Sequence, residues 1–226
     1  MTIEENYGRV VQQVRAAEEQ AGRPAGSVRI VGVSKTVGRD EVDRGYAAGL
    51  RDFGENRVQD AKAKFAPPLP SDAHMHLIGY LQTNKARDAV ALFDTIHSVD
   101  RPELIEALER RAAQIEKIVR VLVQVNIADE EQKHGCEAAD AEGLIRQIVE
   151  CPHLDITGLM AIAPLVGDAE AARPVFRGLR ELRDRLAAID PRFTLPELSM
   201  GMTNDFAVAI EEGATMVRIG RAIFVE

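Results

Sequence analysis

A lysine placed for nucleophilic chemistry lies near the start of the chain. Lys35 follows the apolar run Val28–Val33, and it is the one lysine of six that directly ends such a strand-like run. At the rim of an apolar barrel the charged form of an amine is destabilised, which favours a nucleophile that can form a Schiff base. The alternative is a lysine whose stem packs on the rim while its head reaches solvent.

A second group of residues near the other end of the chain has the character of a phosphate site. Ser199, Met200 and Gly201 make a turn between a predicted strand and a predicted helix, and Gly220 ends the next apolar strand. Glycines let the backbone approach an anion closely, and N–H groups at a helix N-terminus bind phosphate. Turn chemistry alone is the alternative for each residue. Combined with Lys35, the pattern predicts a phosphorylated aldehyde held as a Schiff base.

Arg218 alternates with two apolar residues of the last predicted strand. Val217 and Ile219 are expected to face the helices, so Arg218 is expected to point into the barrel near its mouth. A buried guanidinium needs a partner. The sequence leaves two options open, an acceptor on a ligand or an ion pair with Glu55 or Asp205.

Eight apolar segments that alternate with helical patterns must position these residues. The alternation predicts a parallel sheet, and the count predicts a single-domain (β/α)8 TIM-type barrel over residues 1–226, preceded by an N-terminal helix within residues 1–21. Other helices are expected to start near Arg39, Arg57, Thr83, Arg101, Glu137, Asp168 and Thr203. The predicted strands are Arg29–Ser34, Asp52–Gly54, His74–Ile78, Thr95–Val99, Val119–Asn126, Asp155–Ile162, Leu195–Ser199 and Thr215–Ile219.

Composition and charge narrow the classes of function. The net charge of −8 disfavours nucleic-acid binding, and no apolar run is long enough to span a membrane. The N-terminus does not resemble a signal peptide, so we expect a cytoplasmic protein with inert thiols at Cys136 and Cys151. His74 and His76 have the spacing to share a metal, but no third ligand is evident and we expect no metal site. Many exposed charges favour a monomer.

A set of short motifs resembles one family along nearly the whole chain. In order they are Val31–Thr36 (VGVSKT), Phe53–Asn56 (FGEN), His76–Lys85 (HLIGYLQTNK), Val125–Ala128 (VNIA), Lys133–Gly135, Gly158–Ala161 (GLMA), Leu198–Met202 (LSMGM) and Met216–Gly220 (MVRIG). The set resembles the pyridoxal 5′-phosphate (PLP) homeostasis protein family, which shares the barrel of the alanine racemase N-terminal domain.

The resemblance implies a role for each site residue. Lys35 would form the internal aldimine with PLP, and Arg218 would face the pyridine nitrogen. Asn56 and Met160 map to positions that line the ring. The phosphate would lie against the turn and strand end named above, Ser199, Met200, Gly201 and Gly220. The implied function is intracellular PLP homeostasis, as a carrier or buffer, with PLP-dependent apoenzymes as recipients.

The chain also departs from its presumed relatives. Position 221 often holds a small hydroxyl residue in the family, and here Arg221 either contacts the phosphate or faces solvent. Met75 stands where relatives commonly have a tryptophan. At the start of the next helix, Thr203 stands where relatives usually have a serine.

Two enzymatic alternatives stay open at this stage. One is a monomeric PLP-dependent racemase or lyase, for which Tyr80 is near enough to the mouth to be considered as the opposite-face base. The other is a Schiff-base aldolase that acts on sugar phosphates without PLP.

Overall fold

Eight parallel strands close into a barrel in the computed structural model, which describes residues 1–128, 134–164 and 168–225. Each strand pairs with the next in sequence, and the last pairs with the first. The predicted (β/α)8 barrel is therefore confirmed, including the strands predicted at Asp52–Gly54 and Leu195–Ser199. The strands are β1 (Arg29–Val33), β2 (Asp52–Glu55), β3 (His74–Leu77), β4 (Thr95–Val99), β5 (Val119–Gln124), β6 (Leu154–Met160), β7 (Glu197–Ser199) and β8 (Met216–Ile219).

Helices connect the strands on the outside of the barrel. They are α1 (Ile3–Gln20), α2 (Arg39–Ala47), α3 (Val58–Lys64), α4 (Ala86–Leu92), α5 (Pro102–Gln114), α6 (Ala141–Val149), α7 (Arg173–Ala187), α8 (Phe206–Glu211) and α9 (Arg221–Phe224), with 3-10 turns at Thr83–Lys85 and Ala169–Ala172. Among the described residues, none of these helices combines the length and apolar character that a membrane crossing requires.

Three helix predictions need correction. Helix α6 begins at Ala141 rather than near Glu137. Helix α8 begins at Phe206 rather than near Thr203, because a turn comes first in which the Met202 N–H donates to Asp205 Oδ1 at 2.6 Å. The sequence analysis missed α9, since four residues are too few to show a helical period.

Strands β5 and β6 each end two residues earlier than predicted, where their pairing with a neighbour ends. Strand β5 stops at Gln124, and Val125 bridges to Cys136 instead of continuing the ladder. Strand β6 stops at Met160, which aligns with the last residue of β7, Ser199. The predicted ends at positions 126 and 162 therefore lie in loops at the barrel mouth.

The strands bury different residues on their two faces. Inside the barrel, Val31, Leu122, Met160 and Met216 form a small apolar cluster. Residues on the opposite strand faces join a larger cluster with the helices. The interior of the barrel is called the lumen below.

One glycine lets two strands meet closely beside the site. A Cβ atom at Gly158 would lie 1.9 Å from the carbonyl oxygen of Glu197, which is impossible for a side chain. The backbone of β6 therefore approaches β7 at a distance that only glycine permits.

Helix α1 is an amphipathic helix that packs against α2, α8 and α9. Its first turn has a capping box, in which Thr2 and Glu5 each accept the other's backbone N–H. The buried face of the helix carries apolar residues at helical spacing, Ile3, Val10, Val14 and Ala17. The predicted N-terminal helix is thus confirmed. It packs over the region where the last helices, α8 and α9, meet the barrel.

A buried carboxylate fixes the end of α1 to the start of the barrel. Glu18 is fully buried, and it accepts hydrogen bonds from the backbone of Gly26 at 2.8 Å and Val28 at 2.7 Å. The Ser27 hydroxyl donates a third, at 3.2 Å. Charge-assisted bonds of this kind compensate for burial of the carboxylate.

We predict that Glu18→Gln lowers the free energy of unfolding by about 2 kcal/mol, because an amide NH₂ replaces an oxygen that accepts from the backbone. Urea denaturation of both proteins measures the difference. Glu19→Gln is the matched control, since Glu19 is exposed one residue further along. Equal effects of the two substitutions would contradict a structural role for the Glu18 carboxylate.

Candidate functional site

The carboxyl ends of the eight strands surround one mouth of the barrel, where function concentrates in this fold. Lys35, Asn56 and Gly220 each follow a strand end directly or within two residues. The predicted site residues are therefore brought to one face of the molecule.

Lys35 lies on an exposed turn that follows β1. In the part of the chain that the structure describes, its side chain makes no hydrogen bond or ion pair. The turn itself is fixed by Ser34, whose N–H donates to the Gly54 carbonyl at 3.0 Å. The expected apolar enclosure is not found, and the amine is open to solvent and available to a ligand.

A buried ion pair that the sequence analysis missed holds this turn from below. Lys64 Nζ lies 2.7 Å from Glu55 Oε1 and donates to the Ser34 carbonyl at 2.6 Å. The Ser34 hydroxyl donates to the same Glu55 oxygen at 2.7 Å. Glu55 Oε2 is buried and has no partner among the described residues. A glutamate that ends an apolar strand, with a lysine nine residues later, is the signal that was available in the sequence.

Arg218 points into the barrel, as predicted, and is only 5% exposed. Its Nη1 donates to Ser199 Oγ at 2.7 Å and its Nη2 to the Ala161 carbonyl at 2.8 Å. Of the two options that the sequence left open, the ion pair with Glu55 or Asp205 is not formed among the described residues, since neither carboxylate is bonded to it. Burial lowers the pKa of the guanidinium to about 10, and the charge of Asp205 only partly offsets this effect. The cation remains protonated at neutral pH but has no bonded counter-charge among the described residues.

Ser199 is enclosed in the lumen rather than placed as a free donor at the mouth. Its Oγ accepts from Arg218 and lies 2.9 Å from His97 Nδ1. His97 Nε2 in turn lies 2.9 Å from His76 Nδ1, and His76 Nε2 lies 2.9 Å from Asp52 Oδ1. These five residues are called the lumen chain. The expectation that the Ser199 hydroxyl faces the phosphate is corrected accordingly.

The two glycines of the predicted phosphate site have the geometry of a close approach. Gly201 has φ +91°, and a Cβ there would lie 2.6 Å from the Ala209 side chain. A Cβ at Gly220 would lie 3.0 Å from the Val33 carbonyl oxygen. Within the described residues the backbone N–H groups of Gly201, Gly220 and Arg221 have no acceptor. Unpaired N–H groups beside two turns can bind an anion.

The helix geometry around these turns differs from the prediction. Gly220 caps α9 directly, so a helix N-terminus adjoins the turn after β8. Residues 202–205 separate Gly201 from α8. The Met200 side chain lies in the outer apolar cluster, and its N–H donates to the Met216 carbonyl at 3.1 Å. Met200 therefore shapes the turn without offering a group to the mouth, while Arg221 is exposed beside it.

The positions expected to line a ring lie on two sides of the mouth. Asn56 is half-buried, and a Cβ at Gly79 would lie 2.3 Å from its carbonyl oxygen. Met160 is fully buried and packs with Val31, Leu122 and Met216 under the mouth.

Tyr80 lies between two other side chains of the mouth. Its ring stacks on His134 with centroids 4.2 Å apart, and the Arg101 guanidinium lies 4.8 Å from its centroid. Lys133, part of one quoted motif, lies outside the described residues.

The structure gives surroundings for His76 and for the two cysteines named in the sequence analysis. His76 belongs to the lumen chain, and the described residues contain no group of three side chains suited to hold a metal ion. Burial, with smaller effects of Asp100 and Asp140, raises the pKa of Cys136 to about 12. The pKa of Cys151 is also raised, mainly by burial. Both thiols are therefore protonated and poor nucleophiles at neutral pH.

Comparison with known proteins places the chain among close relatives. The family described as "Alanine racemase, N-terminal domain" matches residues 6–226. A protein of Aquifex aeolicus named "Pyridoxal phosphate homeostasis protein" is 41% identical over 98% of this chain and 97% of its own length.

Solved structures extend the likeness to three dimensions. PipY of Synechococcus elongatus, solved with PLP bound, is 37% identical with a TM-score of 0.86, and the match covers 99% of this chain and 100% of PipY. A protein of unknown role from Bifidobacterium adolescentis has a TM-score of 0.91 at 40% identity, over 98% of this chain and 94% of that one.

We predict that Lys64→Met lowers the free energy of unfolding by about 3 kcal/mol or more, because it leaves the Glu55 carboxylate buried and unpaired. Urea denaturation at neutral pH measures the loss. Lys62→Met on the same helix is the control, since Lys62 pairs with Asp88 at the surface and is 66% exposed. If the Lys64 variant is as stable as the control, the ion pair does not hold the turn of Lys35.

Proposed function

This chain belongs to the pyridoxal phosphate homeostasis protein family, within the wider alanine racemase N-terminal domain family, and from that premise we propose that it binds PLP covalently through Lys35. Its proposed role is PLP homeostasis, in which it holds a reactive aldehyde and releases it to PLP-dependent apoenzymes. The proposed state is a cytoplasmic monomer.

The observation that carries this proposal is the buried, uncompensated cation at the mouth. Arg218 is enclosed with only neutral acceptors, beside an unpaired lysine and unpaired backbone N–H groups. An aldehyde, an anion and a basic ring nitrogen on one ligand would satisfy the lysine, the N–H groups and the guanidinium together. PLP has this set of groups.

The proposed bond to Lys35 follows from the chemistry of its exposed amine. The unprotonated Nζ adds to the aldehyde carbon, and loss of one water leaves an imine. Ser34 and Lys64 would keep the turn in place while the lysine side chain reaches inward. The buried pair of Lys64 with Glu55 makes Lys64 unavailable for the same reaction.

The proposed phosphate contacts come from the backbone. The N–H groups of Gly201, Gly220 and Arg221 would donate to the phosphate oxygens, and the exposed Arg221 guanidinium adds a positive charge nearby. Ser199 would contribute through Arg218, because its hydroxyl is engaged in the lumen.

The ring of PLP would lie over the lumen between Asn56 and Met160, with Arg218 facing its nitrogen. A guanidinium that stays protonated opposes protonation of that nitrogen. The unprotonated ring is a weak electron sink, which disfavours chemistry through a carbanion. This electrostatic argument supports a carrier rather than a racemase.

We predict that reduction with borohydride fixes PLP on the peptide that contains Lys35. Lys35→Ala is expected to lose the visible band and the reducible adduct, since no imine forms. Lys62→Ala, a control at an exposed ion pair, is expected to keep both. Absorption spectra and peptide mapping are the measurements, and an adduct that survives in Lys35→Ala would show that another amine holds the cofactor.

We predict that the PLP-loaded protein does not exchange the α-hydrogen of alanine or serine in D₂O at a rate above free PLP. Tyr80 is held between His134 and Arg101. The pyridine nitrogen of PLP is expected to be unprotonated beside Arg218. Proton NMR of the amino acids measures the exchange. Fast exchange that disappears in Tyr80→Phe would favour the racemase alternative instead.

A further inference from the structure

The lumen chain connects the two ends of the barrel. Asp52 is the first residue of β2, so it lies at the amino-terminal face, whereas Arg218 lies near the carboxyl ends of the strands. Four hydrogen bonds of 2.7–2.9 Å link them through His76, His97 and Ser199. The three linking side chains are at most 1% exposed.

The far end of the lumen chain faces a polar recess on the amino-terminal side of the barrel. The recess has a volume of about 240 Å³ and reaches both Asp52 and His76. Its lining contains cations and anions in similar number, Arg29, Arg51, Asp52, Asp72, His74, His76, Asp94, Thr95 and Arg120.

With one proton on each of the two histidine rings, the hydrogen bonds permit one arrangement of protons. Arg218 only donates, so Ser199 accepts from it, and the Asp52 carboxylate only accepts. His76 must then carry its proton on Nε2, toward Asp52, and accept at Nδ1 from His97 Nε2–H. His97 Nδ1 accepts the Ser199 hydroxyl proton. Every donor in the lumen chain therefore points toward the recess.

The surroundings of His97 favour its neutral form. Burial lowers the pKa of His97 well below its ordinary value, and the charges of His76, Arg218 and Arg29 lower it further. His76 is in contact with Asp52, and Arg29 Nε lies 3.8 Å from the same carboxylate. Arg51, Asp72, Asp94, Arg120 and His74 line the recess, and Asp205 acts on Arg218 from the mouth.

One added proton reverses the inner bonds of the lumen chain. The two rings then hold three protons instead of two: His76 has both N–H groups, and His97 has its proton on Nδ1. Ser199 Oγ then accepts from His97 as well as from Arg218, and the Ser199 hydroxyl proton no longer has His97 as its acceptor. The bond from His76 to Asp52 is the same in both states.

We propose that the lumen chain is a proton-coupled positioning device, in which protonation of the His76–His97 pair changes the Ser199 hydrogen bond and the charge facing Arg218. The last step, an effect on the ring nitrogen of bound PLP, rests on the proposed function. His76, His97 and Ser199 act through Arg218 and are positioning residues.

The first test follows the histidines by ¹⁵N NMR of the full chain between pH 8 and 5, without PLP. The expected result is an Nε2–H tautomer on both rings at pH 8, and uptake of one proton with a midpoint that both rings share. His97 is expected to become the Nδ1–H tautomer on the acid side. Separate midpoints, or an Nδ1–H tautomer of His97 at pH 8, overturn the inference.

Substitution of Asp52, the carboxylate at the recess, is expected to shift the shared titration midpoint of the two histidines in one direction. Asp52→Asn is expected to lower the shared midpoint by about one pH unit or more, because the imidazolium of His76 loses its carboxylate partner. His74→Asn is the matched control in the same recess and is expected to leave the midpoint unchanged. A shared midpoint that is the same in Asp52→Asn as in the unsubstituted protein overturns the inference.

The second test reads the site itself through the absorption of bound PLP. Its pH-dependent change is expected to share the NMR midpoint, to move with it in Asp52→Asn, and to be lost in Ser199→Ala but kept in Ser199→Thr. An absorption change with an unrelated midpoint overturns the coupling. If PLP does not bind, the proposed function fails, and the histidine titration still decides whether the pair shares its proton.

Discussion

Burial of the Arg218 guanidinium without a counter-ion is the constraint on which the polar interior depends. A buried cation requires acceptors, and the barrel supplies a backbone carbonyl at Ala161 and a hydroxyl at Ser199. Because the hydroxyl accepts, its own proton needs a further acceptor, which is His97. His97 in turn needs an acceptor, which is His76, and the acceptor for His76 is the carboxylate of Asp52. Barrels of this type usually fill the lumen with aliphatic side chains, and here one cation determines a polar half beside an apolar one.

The two lysines next to the mouth illustrate how burial divides reactive groups from structural ones. Lys64 is enclosed and paired with Glu55, so its amine is committed to the frame. Lys35 is open and unpaired, so its amine is available. Lys64 stabilises the turn at the barrel mouth. The amine of Lys35 remains free to exchange partners, which is the property that a carrier needs.

The sequence predicted the barrel well because the barrel depends on local pattern. Apolar runs fix the strands, and the residue after each run falls at the mouth. The sequence did not reveal the partners of Arg218, because they are distant along the chain: Ser199 is 19 residues away and Ala161 is 57 residues away.

The same limit applies to the histidines of the lumen. A pair of histidines two residues apart, His74 and His76, suggested a shared ligand. The partner of His76 is instead His97, on the neighbouring strand, and the pairing of β3 with β4 brings them together. The helix start after Gly201 was also displaced, since Asp205 forms a turn there that the helical period does not reveal.

Arg218 is tied to the turn after β7 in two ways. Its side chain donates to Ser199, and its backbone N–H donates to the Gly201 carbonyl at 2.9 Å. The guanidinium and the unpaired N–H of Gly201 therefore belong to one rigid unit and keep a constant separation. A ligand that engages both groups must match the distance between them. This part of the mouth therefore selects ligands by the distance between their anionic group and their ring acceptor.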